Sequence, residues 1–195
     1  MTTGILLFDD AEELDFAGPW EVFTMAAKMK GEGTVVMIAE HDRPVRCAKG
    51  LRVLPDHTFT NAPALDIILV PGGQGTRRED KNPVLLEFLR AAGARAWWVT
   101  SVCTGAALLA AAGLARGKRI TSHWAYLDTL RERGDVTVLE GRRYVRDGNV
   151  VTAAGVSAGI DMALWLVGEI NGPDFARGVQ KAIEYDPAPP YAAEV

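Results

Sequence analysis

Cys103 is the residue whose position most clearly points to chemistry. It follows the apolar segment 95–101 and precedes Gly105 and a run of alanines and leucines, which predicts a strand, a sharp turn and then a helix. A nucleophile at such a turn is exposed on a strained backbone, and a helix N-terminus lowers the pKa of a thiol. The sequence therefore predicts a reactive Cys103 with extra thiolate at neutral pH. An inert, buried thiol is the alternative interpretation.

The remaining cysteine and the histidines show no metal-binding pattern. Cys47 has no strand-to-helix context, and we expect it to be inert. The two cysteines lie 56 positions apart, and the three histidines (His41, His57 and His123) are scattered. Metal sites need closely spaced ligands, so no metal is expected. No nucleotide-binding fingerprint occurs either, and no cofactor is expected.

A glycine-rich loop, Pro71–Gly75, follows an apolar run. Glycines let backbone N–H groups face an anion or a developing negative charge. The loop is neither a P-loop nor a GxGxxG motif, and a plain tight turn is the alternative. Together with Cys103, it predicts an anion pocket in which the amides of Gly73 and Thr104 are the donors.

Asp15 is one of five acidic residues in the segment 9–15. Apolar residues on both sides of it favour partial burial. Pro19 predicts a helix start, which makes Gly18 rather than Asp15 the N-cap. A buried carboxyl without a capping role has a raised pKa and can carry a proton. A solvated loop acid is the alternative interpretation.

His123 is the one histidine that could approach Cys103, from the end of a neighbouring strand. A cysteine peptidase or amidase needs a base that activates the thiol and protonates the leaving amine. Thr104, not histidine, directly follows the cysteine, which counts against peptide hydrolysis. A structural role for His123 is the alternative.

Short apolar runs alternate with helical patterns along the chain, which predicts a mostly parallel sheet with helices on both faces. Ligands bind at the carboxyl ends of such strands, where the loops 9–18, 71–75 and 102–105 would lie. The predicted strands cover residues 5–8, 35–39, 66–70, 95–101, 136–139, 143–146 and 150–154. The predicted helices cover 20–29, 83–92, 104–114, 124–133, 158–170 and 174–184. A hairpin around 49–50, a turn at 147–148 and an extended tail at 186–193 complete the prediction.

Composition narrows the function classes. The chain has 195 residues, 48% of them hydrophobic and 24% charged, with a net charge of −4. These values predict one folded domain over residues 1–195 without an electrostatic footprint for nucleic acid or a membrane surface. No window is apolar enough for a transmembrane helix. The first residues show no signal-peptide pattern and the cysteines no disulfide framework, so we expect a cytoplasmic protein.

Three segments resemble the ThiJ/PfpI superfamily: residues 12–19 (EELDFAGP), 70–75 (VPGGQG) and 101–105 (SVCTG), the last followed by AAGL at 111–114. The resemblance covers nearly the whole chain. In finer detail the chain is similar to the isonitrile (isocyanide) hydratase branch, through segments 103–104, 121–124, 154–164 and 184–190.

The resemblance implies an α/β, flavodoxin-like three-layer sandwich and one domain of the class I glutamine amidotransferase-like type. It also implies a Cys103 nucleophile, an Asp15 acid/base, a Thr104 in the pocket, and a homodimer. Related transcription regulators carry an added helix-turn-helix module. This chain has no basic C-terminal extension, so DNA binding is not expected. The protease branch has histidine where this chain has Thr104, which argues against proteolysis.

The resulting hypothesis is the hydration of a small-molecule isonitrile. Cys103 would attack the terminal carbon to give a thioimidate, and Asp15 would deliver a proton and then activate water. Two adjacent negative charges repel, so we expect a protonated Asp15 beside a Cys103 thiolate at rest. Two alternatives stay open: a redox-sensing, stress-protective cysteine protein, and a small-molecule amidase or deglycase that uses His123.

Overall fold

The computed structural model describes residues 1–187, which form eleven strands and seven α-helices. The strands are β1 (Thr2–Leu6), β2 (Thr34–Ala39), β3 (Val45–Arg46), β4 (Arg52–Val53), β5 (His57–Thr58), β6 (Ile67–Val70), β7 (Trp98–Val102), β8 (Arg119–Ile120), β9 (Thr137–Val138), β10 (Tyr144–Asp147) and β11 (Val150–Ala153). The helices are α1 (Glu13–Lys30), α2 (Thr76–Glu79), α3 (Pro83–Gly93), α4 (Gly105–Ala111), α5 (Leu127–Glu132), α6 (Ala158–Asn171) and α7 (Pro173–Ala182), with a 3-10 turn at Trp124–Tyr126.

Seven strands form one central sheet in the order β10-β11-β7-β6-β1-β2-β5. Every neighbouring pair is parallel except β10 and β11. The four residues of β6 are all buried, as expected for a strand covered on both faces. The sheet grows from β1 towards β2 and then, on the other side of β1, towards β6. Strand order therefore reverses beside β1, and a crevice opens there at the carboxyl ends of the strands.

Helices cover both faces of the sheet. Helices α1, α6 and α7 pack against one another on one face, and α3 and α4 lie on the other. The expected mixed fold, with a mostly parallel sheet between helical layers, is confirmed. The buried apolar core runs continuously through these layers.

The start of α1 differs from the sequence-based expectation. The helix begins at Glu13 rather than at Trp20, so Pro19 lies inside it and Gly18 is a buried helical residue instead of the N-cap. A Cβ on Gly18 would lie 2.8 Å from Ile160 Cγ1, so this glycine permits close packing of α1 against α6. That packing offsets the loss of one backbone hydrogen bond, because proline has no N–H to donate inside a helix.

Most other predicted elements are present with shifted ends. Strands β3 and β4 form the expected antiparallel hairpin, and β10 and β11 form another, with Gly148 at φ 65° in the turn. Helix α2 and strands β5 and β8 are too short to have produced a periodic signal. Of the predicted tail 186–193, residues 188 onward lie outside the described residues. Within residues 1–187, no helix is long and apolar enough to cross a membrane.

Candidate active site

Cys103 lies on the strained turn that the sequence predicted. Strand β7 ends one residue before it, α4 begins at Gly105, and the Cys103 backbone has φ 56°, a left-handed conformation that side chains disfavour. The Cys103 N–H donates to the Ala153 carbonyl at 3.1 Å, and the Cys103 carbonyl accepts from Ser122 Oγ at 2.7 Å. These two hydrogen bonds hold the strained residue between neighbouring strand ends.

Two glycines allow the glycine-rich loop to pack directly against this turn. A Cβ on Gly105 would lie 2.2 Å from the Val70 carbonyl oxygen, and one on Gly72 would lie 2.8 Å from Cys103 Cβ. Both distances are far below a normal contact, so any larger residue would push the loop away from the cysteine. The loop after β6 and the turn after β7 therefore form one rigid unit.

Asp15 lies in the first turn of α1 and is fully buried, so it is not a solvated loop acid. Its Oδ2 accepts a hydrogen bond from the Gly72 N–H at 2.8 Å, and its Oδ1 has no hydrogen-bond partner. Burial, and secondarily the charge of Glu12, raise the pKa of Asp15 to about 7, although the Gly72 N–H, the adjacent Cys103 thiol and Lys49 act in the opposite direction. A carboxyl with this pKa can both accept and donate a proton near neutrality.

The expected low pKa of the Cys103 thiol is wrong. The residue is only 7% exposed, and burial together with the charge of Asp15 raises its pKa to about 12. Hydrogen bonds from Thr104 favour the thiolate but do not offset the loss of solvation. At neutral pH the pair therefore keeps its proton on sulfur, with Asp15 as the group that ionises. This order opposes the expected resting state of a thiolate beside a protonated Asp15.

The expected pair of amide donors is also only partly correct. The Gly73 N–H donates to Thr104 Oγ1 at 3.0 Å, so this donor is already used between the loop and the Cys103 turn. The backbone N–H and hydroxyl of Thr104 lie beside the Cys103 sulfur, where both lower its pKa. Any negative charge that develops at the sulfur would therefore be stabilised by Thr104 rather than by two loop amides.

A cavity of about 220 Å³ opens above Cys103. It brings together Cys103, Thr104, Gly73 and His123, while Asp15 is fully buried and does not line it. His123 Nδ1 accepts from the Ala125 N–H at 3.3 Å, so neutral His123 carries its hydrogen on Nε2. No hydrogen bond joins His123 to Cys103 in the part of the chain that the structure describes. The other lining residues are Glu12, Ala48, Gln74, Arg77, Ala125, Tyr126 and Val156.

Comparison with known proteins establishes the family. Residues 2–169 match the DJ-1/PfpI family. The chain belongs to this family. Isonitrile hydratase of Pseudomonas putida is 44% identical over 96% of this chain and 80% of its own length. Glutathione-independent glyoxalase DJR-1.2 of Caenorhabditis elegans is 28% identical over 90% of this chain and 91% of its own. A crystal structure of a ThiJ/PfpI family protein from Pseudomonas syringae has a TM-score of 0.89 and 34% identity, covering 100% of this chain and 78% of that one.

Sequence reasoning missed several residues of this DJ-1/PfpI site. Arg77 donates from Nη1 to the Gly73 carbonyl at 2.9 Å and lies over the Tyr126 ring, 4.6 Å from its centroid. Glu12 forms an ion pair with Lys49 at the tip of the β3–β4 hairpin. These four residues come from four separate segments, and only the position of Arg77, two residues after the glycine-rich loop, is a sequence signal that could have indicated a role. Within residues 1–187, no three potential metal ligands cluster together.

Proposed function

We propose that this protein hydrates isonitriles, converting R–NC and water into an N-substituted formamide. Cys103 acts as the nucleophile and Asp15 as the proton carrier. The observation that carries the proposal is the buried Cys103–Asp15 pair. Cys103 lines a small cavity, and the Asp15 carboxyl, whose Oδ1 has no hydrogen-bond partner, is close enough to the thiol for each group to shift the pKa of the other. The 44% identity to a relative named isonitrile hydratase supports hydration as the reaction of this pair.

The first step uses the single proton of the pair. An isonitrile offers an electrophilic terminal carbon and no leaving group, so it requires one nucleophile and one proton donor. The Cys103 sulfur forms a bond to that carbon while the thiol proton passes to Asp15. Asp15 then protonates the same carbon, which gives a thioimidate, R–N=CH–S–Cys103. A carboxyl pKa of about 7 suits both transfers.

The second step adds water and releases the enzyme. Asp15 removes a proton from water, the hydroxide adds to the thioimidate carbon, and the nitrogen receives that proton. The carbon–sulfur bond then breaks, the hydroxyl proton returns to the pair, and R–NH–CHO leaves. Thr104, beside the sulfur, stabilises the departing thiolate. Three hydrogens enter with the thiol and the water, and three remain, on carbon, nitrogen and sulfur.

The direct test is formamide production from a small neutral isonitrile, ethyl isocyanide, measured by mass spectrometry. We expect turnover by the wild type, no turnover above background by Cys103→Ser, and near wild-type turnover by Cys47→Ser. Cys47 is the matched control because it is also buried but does not line the cavity. Formamide production that survives in Cys103→Ser, or no production by the wild type, would contradict the proposal.

A second candidate is hydrolysis or glyoxalase-type chemistry, favoured by one observation: His123 lines the same cavity as Cys103. The Caenorhabditis elegans relative carries a glyoxalase name. If this candidate is correct, wild-type protein consumes methylglyoxal or small amides and His123→Ala loses that activity. Under isonitrile hydration, His123→Ala keeps most of its formamide production, because the proposed steps route no proton through His123.

Redox sensing by Cys103 is the remaining alternative to isonitrile hydration. A sensor cysteine is exposed and rich in thiolate, whereas Cys103 is 7% exposed and burial raises its pKa. We therefore expect slow oxidation of Cys103 by dilute peroxide, measured by intact mass against Cys103→Ser. Rapid conversion to a sulfinic acid would favour the sensor function instead.

A further inference from the structure

The wall of the active-site cavity carries a positive charge that no carboxylate neutralises within residues 1–187. Arg77 donates from Nη1 to two neutral acceptors, the Gly73 carbonyl at 2.9 Å and Thr76 Oγ1 at 3.2 Å. Its guanidinium lies over the Tyr126 ring. In the described part of the chain, Nε and Nη2 make no hydrogen bond. One edge of the guanidinium is therefore fixed, and the other remains available to a ligand.

The other charges around the cavity do not cancel this one. Glu12 is the acid that lines the cavity, and it forms an ion pair with Lys49. Lys49 also binds Glu13 through its backbone N–H at 2.6 Å, which keeps the hairpin tip in place. Lys49 Nζ also lies 3.9 Å from Glu13 Oε2, so both acids are directed at Lys49. Arg77 is therefore the cavity-lining charge that has no ion-pair partner in the described residues. The ionisable carboxyl of Asp15 is buried and does not line the cavity.

Arg77 is held at a defined position relative to the nucleophile. The Gly73 carbonyl accepts from Arg77 at 2.9 Å, and the Gly73 N–H donates to Thr104 Oγ1 at 3.0 Å. Thr104 is the residue next to Cys103. Two hydrogen bonds thus connect the guanidinium to the cysteine turn. The cavity is about 220 Å³, below the usual range for drug-sized ligands, roughly 300–1,000 Å³. A small molecule bound to Cys103 would therefore place its far end against the part of the cavity wall that Arg77 forms.

We propose that the preferred isonitrile has a small substituent that ends in a carboxylate, and that Arg77 binds this carboxylate through Nε and Nη2. A planar guanidinium with two adjacent free donors matches the two oxygens of a carboxylate. Isocyanoacetate is the simplest substrate of this class. The inference rests on the proposed isonitrile chemistry for the substrate's reactive end, and on the charge of the cavity wall for its other end.

The first test compares isocyanoacetate with its neutral methyl ester in wild type, Arg77→Gln and Arg77→Lys. Arg116→Gln is the matched control, because Arg116 is an exposed arginine that does not line the cavity. We expect the ratio of kcat/KM for the acid over the ester to fall about five- to tenfold in Arg77→Gln, as for loss of a partly exposed charge-assisted contact. Arg77→Lys should lie between, and Arg116→Gln should match the wild type.

Equal losses for acid and ester would overturn the inference, since Arg77 would then only support the loop. An unchanged ratio in Arg77→Gln would overturn it as well. Both results leave the hydration proposal standing, because each requires turnover of the ester.

A second test does not depend on hydration. Iodoacetate and iodoacetamide are similar in size but differ in charge, and both alkylate thiols. We expect the iodoacetate-to-iodoacetamide rate ratio at Cys103, followed by peptide mass, to fall several-fold in Arg77→Gln and to be unchanged in Arg116→Gln. If this ratio falls while no isonitrile is hydrated, the proposed function fails and the anion site stands. If the ratio does not change, the anion site fails whatever the reaction.

Discussion

Asp15 and Cys103 share one buried environment, and burial acts on both groups in the same direction. Loss of solvent raises the pKa of the carboxyl to about 7 and that of the thiol to about 12. The carboxyl therefore ionises first, and the Gly72 N–H and the Cys103 thiol both favour its ionised form. Reactivity in this pair comes from moving a proton over a short distance, not from a stable thiolate.

The pH dependence of turnover follows from this order. Below about pH 7 Asp15 is protonated and cannot accept the thiol proton, and above it the carboxylate is ready. We therefore predict that kcat/KM for a neutral isonitrile rises as pH increases through about 7 and then levels off. A rate that falls over the same range would mean that the fully protonated pair, with one proton on Asp15 and one on Cys103, is the active form.

The burial of Asp15 also predicts that the free energy of unfolding falls as the pH rises. The pKa of Asp15 is about 7 in the folded protein against an ordinary value of 3.8. The folded state therefore binds the Asp15 proton more tightly than the unfolded state does. The resulting stabilisation of the folded state is fully present below pH 3.8 and is lost as the pH rises to about 7. The full loss is roughly 4 kcal/mol at 1.36 kcal/mol per pKa unit.

Asp15→Asn removes this titration. In urea unfolding, we predict that the variant gains up to about 3 kcal/mol relative to wild type between pH 5 and pH 8. Asp42→Asn is the control, because Asp42 is exposed and forms no ion pair within residues 1–187. A stability difference that does not vary with pH would contradict the burial argument.

At the scale of helices and strands, the local sequence pattern is sufficient to predict some features of the fold and insufficient for others. The turn at Cys103 was predictable because an apolar run, a cysteine and then glycine with small residues specify strand, turn and helix. The start of α1 was not, because Pro19 is an ordinary helix-start signal and only packing against α6 shows why it is tolerated. The pKa of Cys103 was also missed, because the carboxyl that faces it comes from 88 residues earlier in the chain.

The close approach of the glycine-rich loop to the cysteine turn gives an element-scale prediction. Gly105→Ala would place a Cβ 2.2 Å from the Val70 carbonyl oxygen and 2.8 Å from that of Pro71, so strands and helix must separate. We expect a loss of about 2 kcal/mol or more in the free energy of unfolding.

Gly168→Ala is the matched control within α6. Its added Cβ would meet only ordinary contacts, the nearest 3.5 Å away at Ala176 Cβ. Alanine is the better helix former, so the variant should be neutral or up to about 1 kcal/mol more stable. If both glycine variants change the free energy of unfolding equally, the glycine-rich loop does not pack against the Cys103 turn as tightly as the short distances from Gly105 indicate.

At the scale of the whole molecule, the sheet topology brings the site together. Asp15 follows β1, the glycine-rich loop follows β6 and Cys103 follows β7, which are adjacent parallel strands. Their carboxyl ends meet where strand order reverses. This placement was predictable from the alternation of strands and helices, whereas the cavity wall was not, because Arg77, Tyr126 and the hairpin tip carry no shared local signal.

The continuous core predicts cooperative unfolding of the whole chain. Buried residues of both helical layers and of the sheet belong to one apolar cluster, so no part has a separate core. We expect tryptophan fluorescence and far-ultraviolet circular dichroism to report the same urea midpoint. Two separate midpoints would show that the chain divides into independently stable parts.

A double-mutant comparison of formamide production from ethyl isocyanide measures whether Cys103 and Asp15 act together. Residues that act as one catalytic unit are strongly non-additive. We predict that Cys103→Ser falls to background, that Asp15→Asn loses about 100-fold or more in turnover, and that the double variant is no slower than Cys103→Ser alone. A Cys103→Ser variant that retains turnover, or an Asp15→Asn variant with wild-type turnover, would contradict the assignment of the chemistry to this pair.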